Sequence, residues 1–175
     1  HGALVDYHAR AAIAATVDVI LSRSITGNSI GAKLTIPQGT LFTDSSGNSW
    51  LSARDVTWYS NVTTCKVPII QHEKYTASAL NNMVIPTGDR VIIHLGTLPN
   101  GKYYEQGSMS LQIGGETWVL VDTFAKSKPT DKHFMVSVDE AINPYIMFGD
   151  GTFGKKPAAG AKITNVVFYL TNGTQ

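Results

Sequence analysis

The segment most suggestive of chemistry is the glycine-rich run of residues 149–154, which follows an apolar stretch near the carboxyl-terminal end. It matches the G-x-G-x-x-G pattern of a dinucleotide-binding turn, and with Lys155 it matches most of a phosphate-binding loop. A dinucleotide site also needs a helix after the turn and an acidic residue about 20 positions later. Pro157 opposes the start of such a helix, and no Asp or Glu follows Gly151. Lys156 stands where a phosphate loop needs Ser or Thr to bind magnesium.

The same residues are typical of a tight turn that joins two strands. In this interpretation Gly151 and Gly154 adopt backbone angles that are closed to other residues, and the Asp150 side chain caps the turn. We therefore expect a structural role for the segment, with no nucleotide or other cofactor and no acid–base chemistry at Asp150.

Other candidate catalytic and metal-binding groups fit known chemistry poorly. His72 and Glu73 begin like a zinc-protease helix, but Thr76 stands where the second histidine belongs. A glycosidase needs two carboxylates about 5 to 9 Å apart, which sequence alone cannot establish. The remaining candidates have simpler interpretations as strand, loop or core residues: His8, His94, His133, Glu73, Glu105, Glu116, Glu140 and the single cysteine, Cys65. We expect no catalytic residue, no metal site and no enzymatic activity.

Aromatic residues offer a second class of function, the binding of glycans. The three tryptophans and a tyrosine pair would stack on sugars if they were exposed together: Trp50, Trp58, Trp118, Tyr103 and Tyr104. Packing in a core is the favoured interpretation, because large aromatic side chains dominate cores and no shared face is evident. A glycan-binding module, for example of an adhesin, stays the alternative function, and a carbohydrate-active enzyme is the third.

Composition limits the classes of partner. The chain has 175 residues, of which 43% are hydrophobic and 15% charged, with a formal net charge of +1. Such a balance gives no field that would gather nucleic acid or an anionic membrane. One cysteine excludes an internal disulfide framework. No apolar run is long enough for a transmembrane helix and no signal peptide is evident, so we expect a soluble chain, and a fragment because it lacks an initial methionine.

The pattern of residue types along the chain predicts a mainly β fold. From Thr16 onward, short β-branched and aromatic runs alternate with Gly, Asn, Ser and Pro clusters, giving roughly ten strand candidates. Gly114 and Gly115 lie between two alternating runs and predict a two-residue hairpin turn. Helices of crossover length are absent from the pattern, which favours antiparallel sheets in a sandwich-like architecture or in two small β units.

The predicted organisation has four segments. Residues 1–15 are alanine-rich and predict a short N-terminal helix, the end of a preceding helical segment. Residues 16–85 form a first β unit and residues 86–147 a second, with insertion into the first left open. Residues 148–175 hold the glycine turn and the closing strands, which are expected to pack back on the first unit.

The run of residues 144–169, PYIMFGDGTFGKKPAAGAKITNVVFY, resembles the FGDG-x-x-G-x-x-P-x-x-G-x-x-I signature of phage baseplate J-like proteins and of wedge proteins of contractile-tailed phages. Upstream, DYHARAAIAATVDVIL, IPQGTLFTDSSGNSW and GETWVLVDTFAKSKPTDKHFMVSVDE are similar, in order, to further blocks of that family. After the last strand, Tyr169 is followed by Leu170 rather than by the basic residue of the family pattern, which leaves the subfamily open. The matching residues of the signature, predicted to form a structural turn motif, are Phe148, Gly149, Asp150, Gly151, Gly154, Pro157 and Gly160.

The resemblance implies a structural role in a virion. Wedge proteins of this kind link the hub of a tail baseplate to its periphery, associate with themselves around the ring and relay the rearrangement that triggers sheath contraction. The implied partners are other baseplate proteins and copies of the chain itself, with no nucleic acid and no membrane. The implied location is the tail baseplate, assembled in the host cytoplasm.

Overall fold

The computed structural model describes residues 14–24, 32–99 and 101–172, and it is mainly β, with 45% strands and almost no helix. The expectation of a mainly β chain with antiparallel sheets is confirmed. The helix predicted over residues 1–15 falls on residues 1–13, outside the described part, and Ala14 and Ala15 enter the first strand without helical structure. The chain divides into two compact units, here called the N-terminal unit (residues 14–73) and the C-terminal unit (residues 74–172).

The N-terminal unit contains a four-stranded antiparallel sheet and a separate two-stranded ribbon. The sheet has the order β1, β6, β4, β3, and the ribbon pairs β2 with β5. The strands in the described part of this unit are β1 (Thr16–Ser22), β2 (Leu34–Ile36), β3 (Leu41–Thr43), β4 (Ser49–Ser52), β5 (Val56–Trp58) and β6 (Thr64–Ile70).

Strict alternation along β6 builds the core of this unit. Cys65, Val67 and Ile69 are buried while their neighbours point away, as the period of two in a strand requires. Val56 and Trp58 of β5 pack against them. Burying a side chain of this size contributes about 1.5 to 3 kcal/mol, so the burial of this cluster stabilises the unit.

The C-terminal unit is built on an eight-stranded sheet in which β14 pairs with three other strands. The main order is β7, β14, β10, β11, β12, β13, β8, and β9 also pairs with β14. The strands are β7 (Glu73–Thr76), β8 (Ile92–His94), β9 (Tyr103–Tyr104), β10 (Ser110–Ile113), β11 (Glu116–Leu120), β12 (His133–Val138), β13 (Pro144–Phe148) and β14 (Ile163–Thr171), with a single turn of 3-10 helix at Ser78–Leu80.

The hairpin predicted at the glycine pair is present between β10 and β11. Ile113 faces Glu116 across the turn, and Gly114 and Gly115 have φ angles of 59° and 79°. Two consecutive positive φ values give the twist that matches a two-residue hairpin, and glycine adopts them without a steric penalty.

One pair of strands departs from the antiparallel pattern. β11 and β12 run parallel, with Val119 opposite His133 and Leu120 opposite Phe134. A parallel pair needs a crossover, and here residues 121–132 supply it without a helix. The sequence does not indicate this crossover, because the turn residues between β11 and β12 are of the same types as those that connect antiparallel strands.

The division into units differs from the one that the sequence suggested. The expected boundary lay between residues 85 and 86, but the compact units divide between residues 73 and 74. The closing segment, residues 148–175, was expected to pack back on the first β unit. β14 does pair with β7, and residues 77–85 hydrogen-bond to residues 161–166, all within the span predicted for the first unit. These partners belong to the C-terminal unit, in which β14 also pairs with β9 and β10. Long-range strand pairing, which local composition does not encode, decides both points.

Candidate functional site

The FGDG turn, residues 148–154, lies at the end of β13 and is anchored by an aromatic cluster. Phe148 is fully buried, with its ring 5.4 Å from that of Trp118 in an edge-on arrangement at 87°. The ring of Phe134 lies 6.5 Å from the ring of Phe148. Aromatic pairs at such distances add about 0.5 to 1.5 kcal/mol beyond the burial of their area. The first residue of the motif therefore fixes the turn to the core of the C-terminal unit.

The backbones of Gly149 and Gly154 are in close contact. A Cβ atom on Gly149 would overlap the backbone carbonyl of Gly154 and lie 2.6 Å from its Cα. The Gly151 amide donates to the Gly154 carbonyl at 3.0 Å and closes the loop. Gly151 and Gly154 have φ angles of +92° and +85°, so both also need a conformation that side chains oppose. Gly149 is required for space, and the other two are required for backbone angle.

Asp150 caps the turn, as the sequence predicts. Its Oδ1 accepts hydrogen bonds from the amides of Thr152 and Phe153, both at 2.9 Å. These bonds, first from Phe153 and then from Thr152, hold the pKa of Asp150 below its usual value, and the Arg90 guanidinium, 3.9 Å away, lowers it further. The carboxylate is therefore ionised and hydrogen-bonded to amides of its own turn. A general acid, in contrast, must be protonated so that it can donate a proton.

The residues after the turn tie it to distant loops of the same unit. The Lys155 amide donates to the Asp131 carbonyl at 2.8 Å, and the Gly160 amide donates to the Ile85 carbonyl at 2.9 Å. Pro157 is buried between these two points, and Gly160 has a φ of +87°. Residues 155–162 contain no helix, so the turn offers no helix N-terminus to a phosphate group. All seven motif residues thus have structural roles.

Several of the histidine and carboxylate candidates have individual partners in the structure. Among the described residues, no group of three or more His, Cys, Asp or Glu side chains could hold a metal ion. His94 stacks at 5.3 Å on Tyr145 of the neighbouring strand, and Glu116 pairs with Lys132. The hydrogen bond and charge of Lys132 lower the pKa of Glu116, as expected of a surface ion pair. His8 lies outside the described residues.

A contact that the sequence did not reveal joins Ser127 to His133. The Ser127 hydroxyl and His133 Nδ1 are 2.8 Å apart. A serine nucleophile would need an accessible hydroxyl, but Ser127 is only 7% exposed. The contact therefore fastens the crossover loop to the start of β12.

The aromatic candidates for a glycan platform are mostly in the cores. Trp58 and Trp118 are 7% and 4% exposed, and Tyr104 is 2% exposed. Trp50 is half-buried and donates its indole N–H to Asp44 Oδ2 at 3.0 Å. Three of these aromatic rings are withdrawn into packed interiors, so they do not form a sugar-stacking surface.

Two polar centres of the N-terminal unit were missed by sequence analysis. Asp44 accepts from the amides of Ser46 and Asn48 and from the side chains of Asn48 and Trp50, which lowers its pKa from 3.8 to about 2, with the Trp50 bond as the largest cause. The spacing D-x-S-G-N-x-W of this loop could have indicated such a cap.

The second centre is Arg23, which follows β1. Its guanidinium donates to three backbone carbonyls, at 3.1 Å to Val62, 2.6 Å to Ala32 and 2.7 Å to Tyr59. It also lies 4.7 Å above the Trp58 ring, within the range of a cation–π interaction. An isolated arginine in a loop gives no sequence signal of this kind, because its partners are backbone atoms of distant segments.

Comparison of the chain with protein-family models, with curated proteins and with solved structures finds no match. In the part of the chain that the structure describes, no helix has the length and apolar character needed to cross a membrane.

Proposed function

We propose that this chain is a structural wedge component of a phage tail baseplate, which links hub and periphery through protein–protein contacts and relays the change that triggers sheath contraction. Its partners are other baseplate proteins and further copies of itself, and its place is the virion. The proposal includes no catalysis, no cofactor, no nucleic acid and no membrane.

The observation that carries the proposal is the agreement between the motif and its geometry. The chain resembles the wedge-protein signature at Phe148, at Asp150, at Pro157 and at four glycines. In the structure each of these residues anchors, closes or caps the turn, or ties it to distant loops. A motif whose residues are all used for rigidity favours an assembly module over an enzyme.

The proposal extends to the architecture. We include a β-sandwich-like arrangement of the C-terminal unit, in which opposite parts of the curled sheet share one interior. Its support is the single core cluster to which strands from both ends of the sheet contribute, among them Ile93 of β8, Leu111 of β10 and Phe168 of β14. The glycan-binding alternative has less support, because it needs aromatic side chains that this core and the core of the N-terminal unit enclose.

Immunogold labelling of tailed particles tests the proposed function. Antibodies raised against the chain are applied to lysates of the source culture and viewed by negative-stain electron microscopy, with antibody preadsorbed to the pure chain as the control. Label at the tail end beneath the sheath is the expected result. Label on fibres, or on no particle, would contradict the wedge role and return weight to a glycan-binding module.

A further inference from the structure

The longest exposed strand edge of the described residues belongs to β1. It lies at one end of the four-stranded sheet and pairs with β6 over seven consecutive residues without a bulge. The other strands at the ends of the two larger sheets, β3, β7 and β8, have only three or four residues each. Exposed edges are usually blunted by shortness, proline, lysine or a bulge, and β1, TVDVILS, has none of these.

The backbone groups that β1 leaves unpaired in the sheet can be identified from its register. Gln71 donates its amide to the Ala15 carbonyl, and Arg23 donates to the Thr63 carbonyl, so the odd-numbered residues of β1 face β6. The amides and carbonyls of Asp18, Ile20 and Ser22 therefore point to the outer edge. Among the described residues, no strand pairs with that edge.

The side chains beside these groups include the most exposed large apolar residue of the described chain. Ile20 is 69% exposed on the outer face, whereas Val19 and Leu21, on the opposite face, pack against the core of the unit. On the same outer face Asp18 is paired with Lys66 of β6 at 3.5 Å. The edge thus presents one apolar side chain between a satisfied charge and the small polar Ser22.

This pattern is complementary to itself. If two copies pair antiparallel about a two-fold axis at Ile20, each Ile20 faces the other, each Asp18 faces Ser22 of the second copy, and Val19 faces Leu21 of the second copy. All outward amides and carbonyls of Asp18, Ile20 and Ser22 then meet in hydrogen-bonded pairs. A register centred on Asp18 would oppose two carboxylates, and one centred on Val19 would place Asp18 against an isoleucine, so both are disfavoured.

We propose that the occupant of this edge is a second copy of the chain, joined β1 to β1 in the register centred on Ile20, so that the two sheets become continuous. The contact gives a two-fold dimer in which the same patch serves both copies. The inference deepens the self-association in the proposed function by naming its surface. The test of this inference uses the isolated chain and no particle. A negative result would therefore refute the β1–β1 dimer without refuting the baseplate role.

Light scattering coupled to size exclusion, from micromolar to millimolar concentration, measures the mass of the full chain and of matched variants. Ile20→Lys brings two ammonium groups face to face at the axis and should weaken the dimer at least about tenfold. Leu41→Lys is the control, because Leu41 is 63% exposed on β3 at the other edge of the same sheet. Ile20→Glu is prepared as the partner of opposite charge.

The expected result is a concentration-dependent dimer for the natural chain and for Leu41→Lys, and a dimer weakened at least about tenfold for Ile20→Lys and for Ile20→Glu alone. Mixing the two charged variants should restore a mixed dimer, which also demonstrates that each variant is folded. A natural chain that stays monomeric at the highest concentration would overturn the proposal, whether the edge is free or covered by another part of the chain. A dimer that Ile20→Lys leaves intact would overturn it as well.

Discussion

Replacement of Gly149 by alanine is expected to destabilise the C-terminal unit by about 3 kcal/mol or more. The backbone at Gly149 is not in the left-handed region, so the cost is steric: the new methyl group would occupy the position of the Gly154 carbonyl. To make room, the two halves of the turn must separate, which breaks the bond from Gly151 to Gly154 and strains both amide bonds to Asp150. Each such bond is worth about 1 kcal/mol.

Gly160 provides the matched control, because a Cβ there would meet nothing within 4 Å although its φ is +87°. Gly160→Ala should therefore cost only the conformational strain, about 1 to 2 kcal/mol. Gly151→Val combines a φ of +92° with a β-branched side chain and should fall between the two alanine variants. Thermal melting should fall by roughly 4 to 8 °C for each kcal/mol in a unit of this size.

The assay must report on one unit, since the two units can unfold separately. Hydrogen exchange of β13 and β14 amides in increasing urea, read by mass spectrometry, gives the free energy of unfolding of the C-terminal unit. If Gly149→Ala costs no more than Gly160→Ala, the close approach of the two glycines is not the reason for the motif and the argument fails.

Four further outcomes are expected. Because the folded-state pKa of Asp44 is depressed from 3.8 to about 2, its stabilisation is present above pH 4 and lost as the pH falls toward 2. The melting difference between the natural chain and Asp44→Asn should therefore shrink over that window, and a difference that stays constant would refute the role of the ionised carboxylate. Arg23→Ala should cost the N-terminal unit about 2 kcal/mol in urea unfolding, and Arg23→Lys should recover little of it, because one ammonium group cannot span three carbonyls; full recovery with lysine would show that charge alone matters. Ile142→Gly should raise stability by about 1 kcal/mol, because Ile142 has a φ of 63° in an exposed turn, and a lower melting temperature would refute the strain. Addition of nucleotide with magnesium should leave melting unshifted, and a shift that grows with ligand concentration would restore the phosphate-loop hypothesis.

Sequence patterns predicted the local elements of this chain well. Runs of β-branched and aromatic residues located β6 and β14, and the glycine pair located the β10–β11 hairpin, because each depends on residue type or on φ at neighbouring residues. The alternation expected along β14, with Ile163 on the face of Val167 and Tyr169, is wrong: Ile163 is buried with Val166, Phe168 and Leu170, and Asn165 between them has a φ of 52°. The FGDG turn could be predicted for the same reason, including the cap at Asp150. One short strand, β9, was not predicted, since two residues carry too little pattern.

What depends on distant partners could not be predicted. Three features depend on which strands pair with each other. They are the parallel pairing of β11 with β12, the division between residues 73 and 74, and the placement of β14. The need for Gly149 follows from a contact with Gly154 across the turn, and sequence analysis assigned conformational roles only to the other glycines. Arg23 was missed because its partners are backbone carbonyls, which every residue has.

The pairing of β14 with three strands has a consequence for the synthesis of the chain on the ribosome. All strands of the N-terminal unit are available once residue 70 has emerged, so this unit can fold early. The sheet of the C-terminal unit lacks the partner of β7, β9 and β10 until residue 171 has emerged. During that interval β7 and β10 have open edges that other nascent chains can pair with, and a product truncated before Ile163 keeps them permanently. Translation through β14 is therefore needed to cover these edges.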